Sequence, residues 1–278
     1  NTEAHMDRFT RAVKSMSVAF GESTEALSGG LYDILSASVA PEQALHVLSV
    51  AVKAARAGMT DTKVAADALT TVLNSYGMAA SRAAEVSDLL FTIVKRGKTT
   101  FAQLAPQIGK VASIAAVANV SLEELGAMIA LLTRVGLSTD RAMTAIRATI
   151  TSFLKPTEEA AEYAKRLGFV MSSATLKAEG LRGVFERISH LPPDAIAKLF
   201  PNVRALAGII PALSHIRELS ADIQGMVKSA GSTEVAYKKM TNTLAFQFDK
   251  VKQSVKILAV EIGEALLGTI KELVASVS

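Results

Sequence analysis

The sequence predicts an all-α fold: an array of antiparallel helical hairpins followed by a long C-terminal helix with hendecad, coiled-coil-like periodicity. Half of the 278 residues are hydrophobic, yet aromatic residues make up only 5% and tryptophan is absent. Apolar content supplied mainly by Ala, Leu, Val and Ile favours close-packed helices over a β-sandwich. Helix stop and start signals recur through the middle of the chain, and the apolar residues of its last part repeat with a helical period.

Composition excludes several functional classes. The chain has no cysteine, which excludes disulfides, zinc fingers, iron–sulfur clusters and thiol catalysis, and fits assembly in a reducing compartment. With 30 basic and 26 acidic side chains, the excess of positive charge is too small to indicate a nucleic-acid-binding surface. No sequence-specific nucleic-acid partner is therefore expected. The chain begins without methionine or a secretory signal, which suggests a piece of a longer protein.

The middle of the chain is predicted to form hairpins whose helices end at residues suited to a left-handed backbone. A Gly or Asn suited to the position after a helix is followed, one or two residues later, by a Ser or Thr suited to an N-cap. The predicted helix stops are Gly58, Gly77, Gly97, Asn119 and Gly136. About twenty residues for each helix and its turn is typical of antiparallel hairpins with short connections.

The following elements are shorter. Ser121 and Glu124 have the spacing of a capping box, and a helix is expected from Pro156 to Gly168. Residues 169–180 lose the helical period, so irregular structure is expected there. Prolines then divide the chain into short helices at sharp angles: Pro193, Pro201 and Pro211.

The last element is a proline-free segment with an apolar repeat. An eleven-residue period describes the seam without an exception: Met240, Leu244, Phe248, Val251, Val255, Ala259, Ile262, Leu266, Ile270, Leu273 and Val277. A strict heptad from Met240 would place Gln247, Ser254 and Glu261 on the seam. We therefore predict two domains, a helical core over 1–231 and a long helix over 232–278. That helix either starts a coiled-coil rod, with this seam as its oligomer surface, or lies on the core.

One stretch, Thr99 to Leu122, contains a single charged residue, Lys110. A membrane-spanning helix needs about 20 consecutive apolar residues, and Lys110, Pro106 and Asn119 interrupt the run. We therefore expect this stretch to be buried among neighbouring helices, with its alanines allowing close approach.

No catalytic, cofactor-binding or metal-binding residue is predicted, and no cofactor. KRGKTT at 95–100 resembles the end of a phosphate loop, but Thr92 stands where its first glycine should be and a helix precedes it instead of a strand. A helix-cap interpretation is favoured. The histidines form no metal-binding pair in sequence, and no G-x-S-x-G elbow is present.

An ordered set of motifs resembles the core region of bacteriophage tail tape measure proteins. The motifs are AGMTD, NSYGM, VSDLLF, GKTTFAQLA, NVSLEELGAMIALLT, TAIRA and LKPTEEA, then LFPNVRALAG at 199–208 and STEVAYKKMTNTLAFQFDKVK at 232–252. The resemblance covers most of the chain. The long helical ruler of the family is missing, so the chain is expected to be a portion of such a protein.

The resemblance implies a structural role and no enzymatic activity. Such proteins lie in several copies in the tail lumen, set tail length, template assembly of the tail tube and leave before DNA ejection. The implied partners are further copies of the chain in a trimer or hexamer, the tail-tube protein and tail-tip or baseplate proteins. The implied locations are the tail lumen of the virion and, during assembly, the cytoplasm of the bacterial host. Two alternatives stay open: a helical-repeat binding or scaffold module, and a membrane-active segment that makes transient membrane contact and aids genome delivery.

Overall fold

The structure, a computed structural model, describes the backbone of residues 2–277 and the side chains of residues 5–267. Every regular element in the described backbone is helical, which confirms the all-α prediction. The helices are α1 (Thr2–Phe20), α2 (Thr24–Ser36), α3 (Pro41–Gly58), α4 (Thr62–Ser75), α5 (Ala83–Arg96), α6 (Phe101–Leu104), α7 (Gly109–Val117), α8 (Leu122–Arg134), α9 (Thr139–Leu154), α10 (Glu158–Arg166), α11 (Ser173–Ile188), α12 (Pro193–Leu199), α13 (Val203–Ser214), α14 (Ile216–Val227), α15 (Ser232–Thr241) and α16 (Leu244–Val277).

Consecutive helices pack on one another as hairpins, and α8 lies among α5, α7, α9, α13 and α14. Helices α2 to α5 pack on one another in sequence order, as do α7, α8 and α9. The chain then returns, with α13 lying on α9, α14 on α8 and α15 on α3 and α5. All residues of α8 from Leu125 to Thr133 are buried, as expected for a helix that is apolar on all sides.

The predicted left-handed helix stops are observed with two exceptions. The prediction that Pro211 divides two helices is also wrong, because Pro211 lies inside α13. Gly77, Asn119 and Gly136 have positive φ as predicted. At Gly58 the prediction of a left-handed residue is wrong: a Cβ there would lie 2.6 Å from the Phe101 ring, so glycine is needed for packing. The left-handed residue is instead Met59, with φ of 51°.

Gly97 is the second exception. Its φ of −97° is not left-handed, and it caps α5 in an extended conformation. A Cβ there would lie 2.6 Å from the Thr133 hydroxyl, which accepts the N–H of Lys98 at 3.1 Å. Close contact with α8 therefore requires this glycine.

Most of the large apolar side chains in the charge-poor stretch from Thr99 to Leu122 are buried, as predicted, although Val117 is exposed. It forms α6, a 3-10 turn over Ala105–Gln107 and α7, and its buried side chains include Phe101, Leu104, Ile108, Val111, Ala112 and Ala115. Lys110 reaches the surface and pairs with Asp140 at 2.6 Å. Among the described residues, no helix is both long and apolar enough to cross a bilayer.

The prediction of irregular structure over 169–180 is wrong for most of that range. Ser172 caps α11 by accepting the N–H of Thr175 at 3.2 Å, and Ser173 begins the helix. A kink falls at Gly180, where φ is +70° and a Cβ would collide with the Glu124 carboxylate. Glu124 accepts the Arg182 N–H at 3.2 Å, so its carboxylate caps the second half of α11.

The predicted single helix over 232–278 is two helices. α15 ends at Thr241 and α16 begins at Leu244, with Asn242 and Thr243 between them. The Thr243 hydroxyl accepts the Phe246 N–H at 3.2 Å, a local bond that starts a new helix and competes with continuation of the old one. The division of the chain into 1–231 and 232–278 stays a prediction.

Candidate functional site: the apolar face of the last helix

Helix α15 is fixed to the core by a carboxylate from another helix. Gly231 precedes α15 and has no side chain to cap it. Asp88 of α5 replaces that cap: its two carboxylate oxygens accept the N–H groups of Gly231 at 2.7 Å and Thr233 at 2.8 Å. The Thr233 hydroxyl also hydrogen bonds that of Ser87 at 2.8 Å. The start of the segment leading to α16 is therefore part of the core packing.

Ionic and aromatic contacts also hold the first turn and the middle of α15. Lys53 donates to Glu234 at 2.9 Å, and this hydrogen bond lowers the pKa of the Glu234 carboxyl. The Tyr237 ring packs edge-on against Phe20 and Phe246, each at 6.2 Å between centroids, and burial raises the pKa of its phenol. These rings connect α1, α15 and α16.

Arg56, in the last turn of α3, anchors the start of α16. Its guanidinium donates to Asp249 at 3.0 Å and to the carbonyl of Gly21, and it lies 5.9 Å from the Phe246 ring centroid. Glu22 completes the cluster at 3.6 Å. One cation thus joins the α1–α2 turn to α16.

One face of α16 packs along α1. At Gly21, with φ of +63°, a Cβ would lie 3.0 Å from that of Asp249, so the turn and α16 approach closely. Farther along, Lys14 pairs with Glu264 at 3.0 Å, and Gln253 between them is buried. The two helices are therefore antiparallel.

The opposite face of α16 is apolar and has no neighbour within the described structure. The seam residues from Leu244 to Leu266 are all exposed; Leu244 is 79% and Phe248 72% exposed. With 3.6 residues per turn, Leu244, Val255 and Ile262 fall on a side about 180° from Gln253. An apolar stripe of this length in water is typical of a surface that another chain covers.

The predicted seam is only partly on one helix. Leu244, Phe248, Val251, Val255, Ala259, Ile262 and Leu266 share the exposed side of α16, whereas Met240 is on α15, before the break. The side chains of Ile270, Leu273 and Val277 lie outside the described residues. The hendecad period and the oligomer role of these residues stay predictions.

Sequence reasoning missed apolar residues beside the seam. Leu258, Val260 and Leu267 are also exposed on α16. Leu258 follows Val255 by three residues and precedes Ile262 by four, a spacing that could have added it to the stripe. Val260 and Leu267 lie toward the α1 side, where only the three-dimensional packing shows which apolar residues stay uncovered.

The stretch that resembles a phosphate loop and the buried carboxylate of Asp222 both have structural contacts. The KRGKTT stretch joins α5 to α6, and Thr100 forms a capping box with Gln103, as the helix-cap interpretation predicts. Asp222 on α14 is a buried charged residue in the part of the chain that the structure describes, and it pairs with Arg134 at 2.7 Å and Arg96 at 3.5 Å. Within the described residues, no group of three or more His, Cys, Asp or Glu side chains could hold a metal ion.

Comparison with known proteins agrees with the motifs. The family model described as phage-related minor tail protein matches residues 10–209. A probable tape measure protein of Clostridium phage phiCD119 is 22% identical over 294 aligned residues, which cover 98% of this chain and 30% of that protein. The tape measure protein of Pneumococcus phage Dp-1 is 21% identical over 268 residues, covering 92% of this chain and 23% of that protein.

The chain therefore spans less than a third of the length of either relative. No solved structure matches it. The resemblance to phage tail tape measure proteins inferred from the motifs is confirmed by both relatives. Because the family match covers more than half of the residues, this chain belongs to the phage-related minor tail protein family.

Proposed function

We propose that this chain is a module of a phage tail tape measure protein. In this role the parent protein lies in the tail lumen, sets tail length, templates polymerisation of the tube protein and is expelled before DNA ejection. The main support is the match to two tape measure proteins over nearly the whole chain. During assembly the protein is in the host cytoplasm, and afterwards it is in the virion tail.

The exposed face of α16 is the proposed contact between copies. A seam of large apolar residues opposite the α1 contact can be covered without moving α16 from the core. Three or six copies around a common axis would bury the stripe, and the tail-tube and tail-tip or baseplate proteins would surround them. The chain has no catalytic part in this function.

The two other candidates have weaker support. A membrane-active role for the Thr99–Leu122 stretch would require its exposure, and most of its large apolar side chains are in the core. A cellular scaffold module would have similar hairpins, but the relatives are phage proteins. Neighbouring genes for tail-tube and baseplate proteins would separate these origins.

The length-setting function can be tested in the phage that encodes the parent protein. In-frame deletions in the helical part of the parent, outside this module, should shorten the tail by about 1.5 Å per deleted helical residue. Tail length is measured by electron microscopy. The control is a phage in which the same segment is replaced by a different sequence of equal length. Tails of unchanged length in the deletion phages would contradict the proposal.

A further inference from the structure

A pocket of about 460 Å³ lies where the ends of α5, α8 and α14 meet the start of α15. Four of its lining residues are cations: Lys95, Arg96, Arg134 and Lys228. The others are Thr92, Gly225 and Ser232, so no carboxylate lines the pocket within the described residues. Its volume lies in the range of small-molecule sites, which are about 300–1,000 Å³. A concave surface with charge of one sign concentrates ligands of the opposite sign.

The two arginines of this basic pocket are held in place from behind. The Asp222 carboxylate, 4% exposed, pairs with Arg134 at 2.7 Å and with Arg96 at 3.5 Å. Arg134 also donates to the backbone carbonyl of Arg96 at 2.7 Å, and Arg96 donates to that of Ala221 at 3.0 Å. A Cβ at Gly225 would collide with the Arg96 guanidinium, so glycine lets this side chain lie against α14. Both guanidinium groups are therefore positioned before a ligand binds, which reduces the entropic cost of binding.

Positive charge at the basic pocket exceeds negative charge. Asp222 is shared between the two arginines and compensates one charge. Lys95 and Lys228 form no ion pair and no side-chain hydrogen bond in the part of the chain that the structure describes. Asp88 of α5 does not line the pocket, and its two carboxylate oxygens accept backbone N–H groups at the start of α15. Four cations beside one buried carboxylate leave an excess of three positive charges.

The groups available to a ligand in the basic pocket are its cations. The Thr92 hydroxyl donates to the carbonyl of Asp88 at 2.9 Å and lies 3.0 Å from the Ser232 hydroxyl. Because each hydroxyl has one proton, Ser232 is the donor of the second bond, and neither proton remains for a ligand. The ammonium groups and the other guanidinium N–H groups remain. Both kinds of group form charge-assisted hydrogen bonds to phosphate oxygens, arginine as a planar fork and lysine as a point charge.

We propose that the basic pocket binds a small anion with two linked phosphate groups, of the kind that pyrophosphate represents. A phosphate group carries roughly 1.5–2 negative charges at neutral pH, so two groups match the charge excess and one does not. A nucleic-acid backbone is bound along an extended positively charged groove, whereas these four cations surround a single concavity. The site does not depend on the proposed tail function.

Calorimetric titration of the 278-residue chain with sodium pyrophosphate, in a chloride buffer, tests the proposal. We expect saturable binding of one pyrophosphate per chain. The double variant Lys95→Met, Lys228→Met should weaken binding by about tenfold or more, because it removes two charge-assisted contacts. The matched double variant Lys165→Met, Lys177→Met removes the same charge outside the pocket and should leave the affinity unchanged. All four lysines are exposed, so both variants should fold, which circular dichroism checks.

Further titrations separate the possible sources of the phosphate groups. Inorganic phosphate should bind more weakly than pyrophosphate because it brings one group, and equal affinities would contradict a ligand with two. The absence of saturable pyrophosphate binding, or equal affinities in the two double variants, would overturn the site. Short duplex DNA should not compete with pyrophosphate at the same ionic strength. Competition that depends on Lys95 and Lys228 would replace the small anion with a nucleic-acid backbone.

Discussion

Replacing Asp222 with alanine tests the ionic contact that joins α14 to α5 and α8. The Asp222 side chain is 4% exposed and is bound by Arg134 at 2.7 Å and Arg96 at 3.5 Å. Removing the carboxylate leaves two guanidinium groups facing each other without a counter-ion. We expect the free energy of unfolding to fall because those cations lose their shared partner.

The structure sets the size of this loss. Removing one partner of a buried ion pair destabilises by about 3–5 kcal/mol. The Arg96 and Arg134 side chains are 33% and 37% exposed, so both can recover some hydration when Asp222 is gone. We therefore expect the low end, about 3 kcal/mol. For a protein of this size that corresponds to roughly 6–12 °C in melting temperature.

Urea denaturation followed by circular dichroism measures the loss, with Asp140→Ala as the matched control. Asp140 pairs with Lys110 at a similar distance, 2.6 Å, but its side chain is 59% exposed. The control should lose less than about 1 kcal/mol because water screens an exposed pair. A loss below about 1 kcal/mol for Asp222→Ala, or equal losses in both variants, would refute the argument that burial decides the contribution.

Three further predictions concern packing, protonation and the attachment of α16. Ala115→Leu should destabilise by about 1–3 kcal/mol in thermal unfolding because it overpacks a fully buried contact, whereas Val117→Leu at an exposed site should have little effect. Burial raises the folded pKa of Glu124, so its contribution to stability is present below pH 4.5 and is lost as pH rises through the folded pKa. Glu124→Gln should therefore gain stability over the parent as pH rises from about 4 to 7, and a constant difference would contradict this. Arg56→Ala should speed hydrogen exchange in the first turns of α16, and unchanged exchange would show that Asp249 does not hold that helix.

The local sequence was sufficient to predict the all-α fold and several of the helix ends. Residues such as Gly136 and Ser138 act on backbone groups only a few positions away, so their roles can be inferred from spacing alone. The prediction at Gly58 failed because the deciding contact is with Phe101, forty-three residues later in the sequence and on another helix.

For α15 and α16, too, the features that depend on nearby residues could be predicted from the sequence, and the features that depend on distant residues could not. The seam of α16 is a local repeat and could be listed from the sequence. At the break between α15 and α16, the Thr243 hydroxyl accepts a hydrogen bond from the Phe246 N–H. The pattern of apolar residues does not reveal this hydrogen bond. The cap that Asp88 gives to α15 joins positions more than 140 residues apart, and no sequence pattern predicts it. The burial of Gln253 likewise depends on the packing of α1 against α16.

The central claim is that copies of the chain associate through the exposed apolar face of α16. Sedimentation velocity over a range of concentrations tests it on the parent chain and on the double variant Phe248→Glu, Val255→Glu, with Tyr32→Glu as a control at an exposed site outside α16. The account predicts a trimer or hexamer for the parent and the control, and a folded monomer for the double variant. A parent that stays monomeric at high concentration, or a double variant that keeps the parental mass, would contradict it.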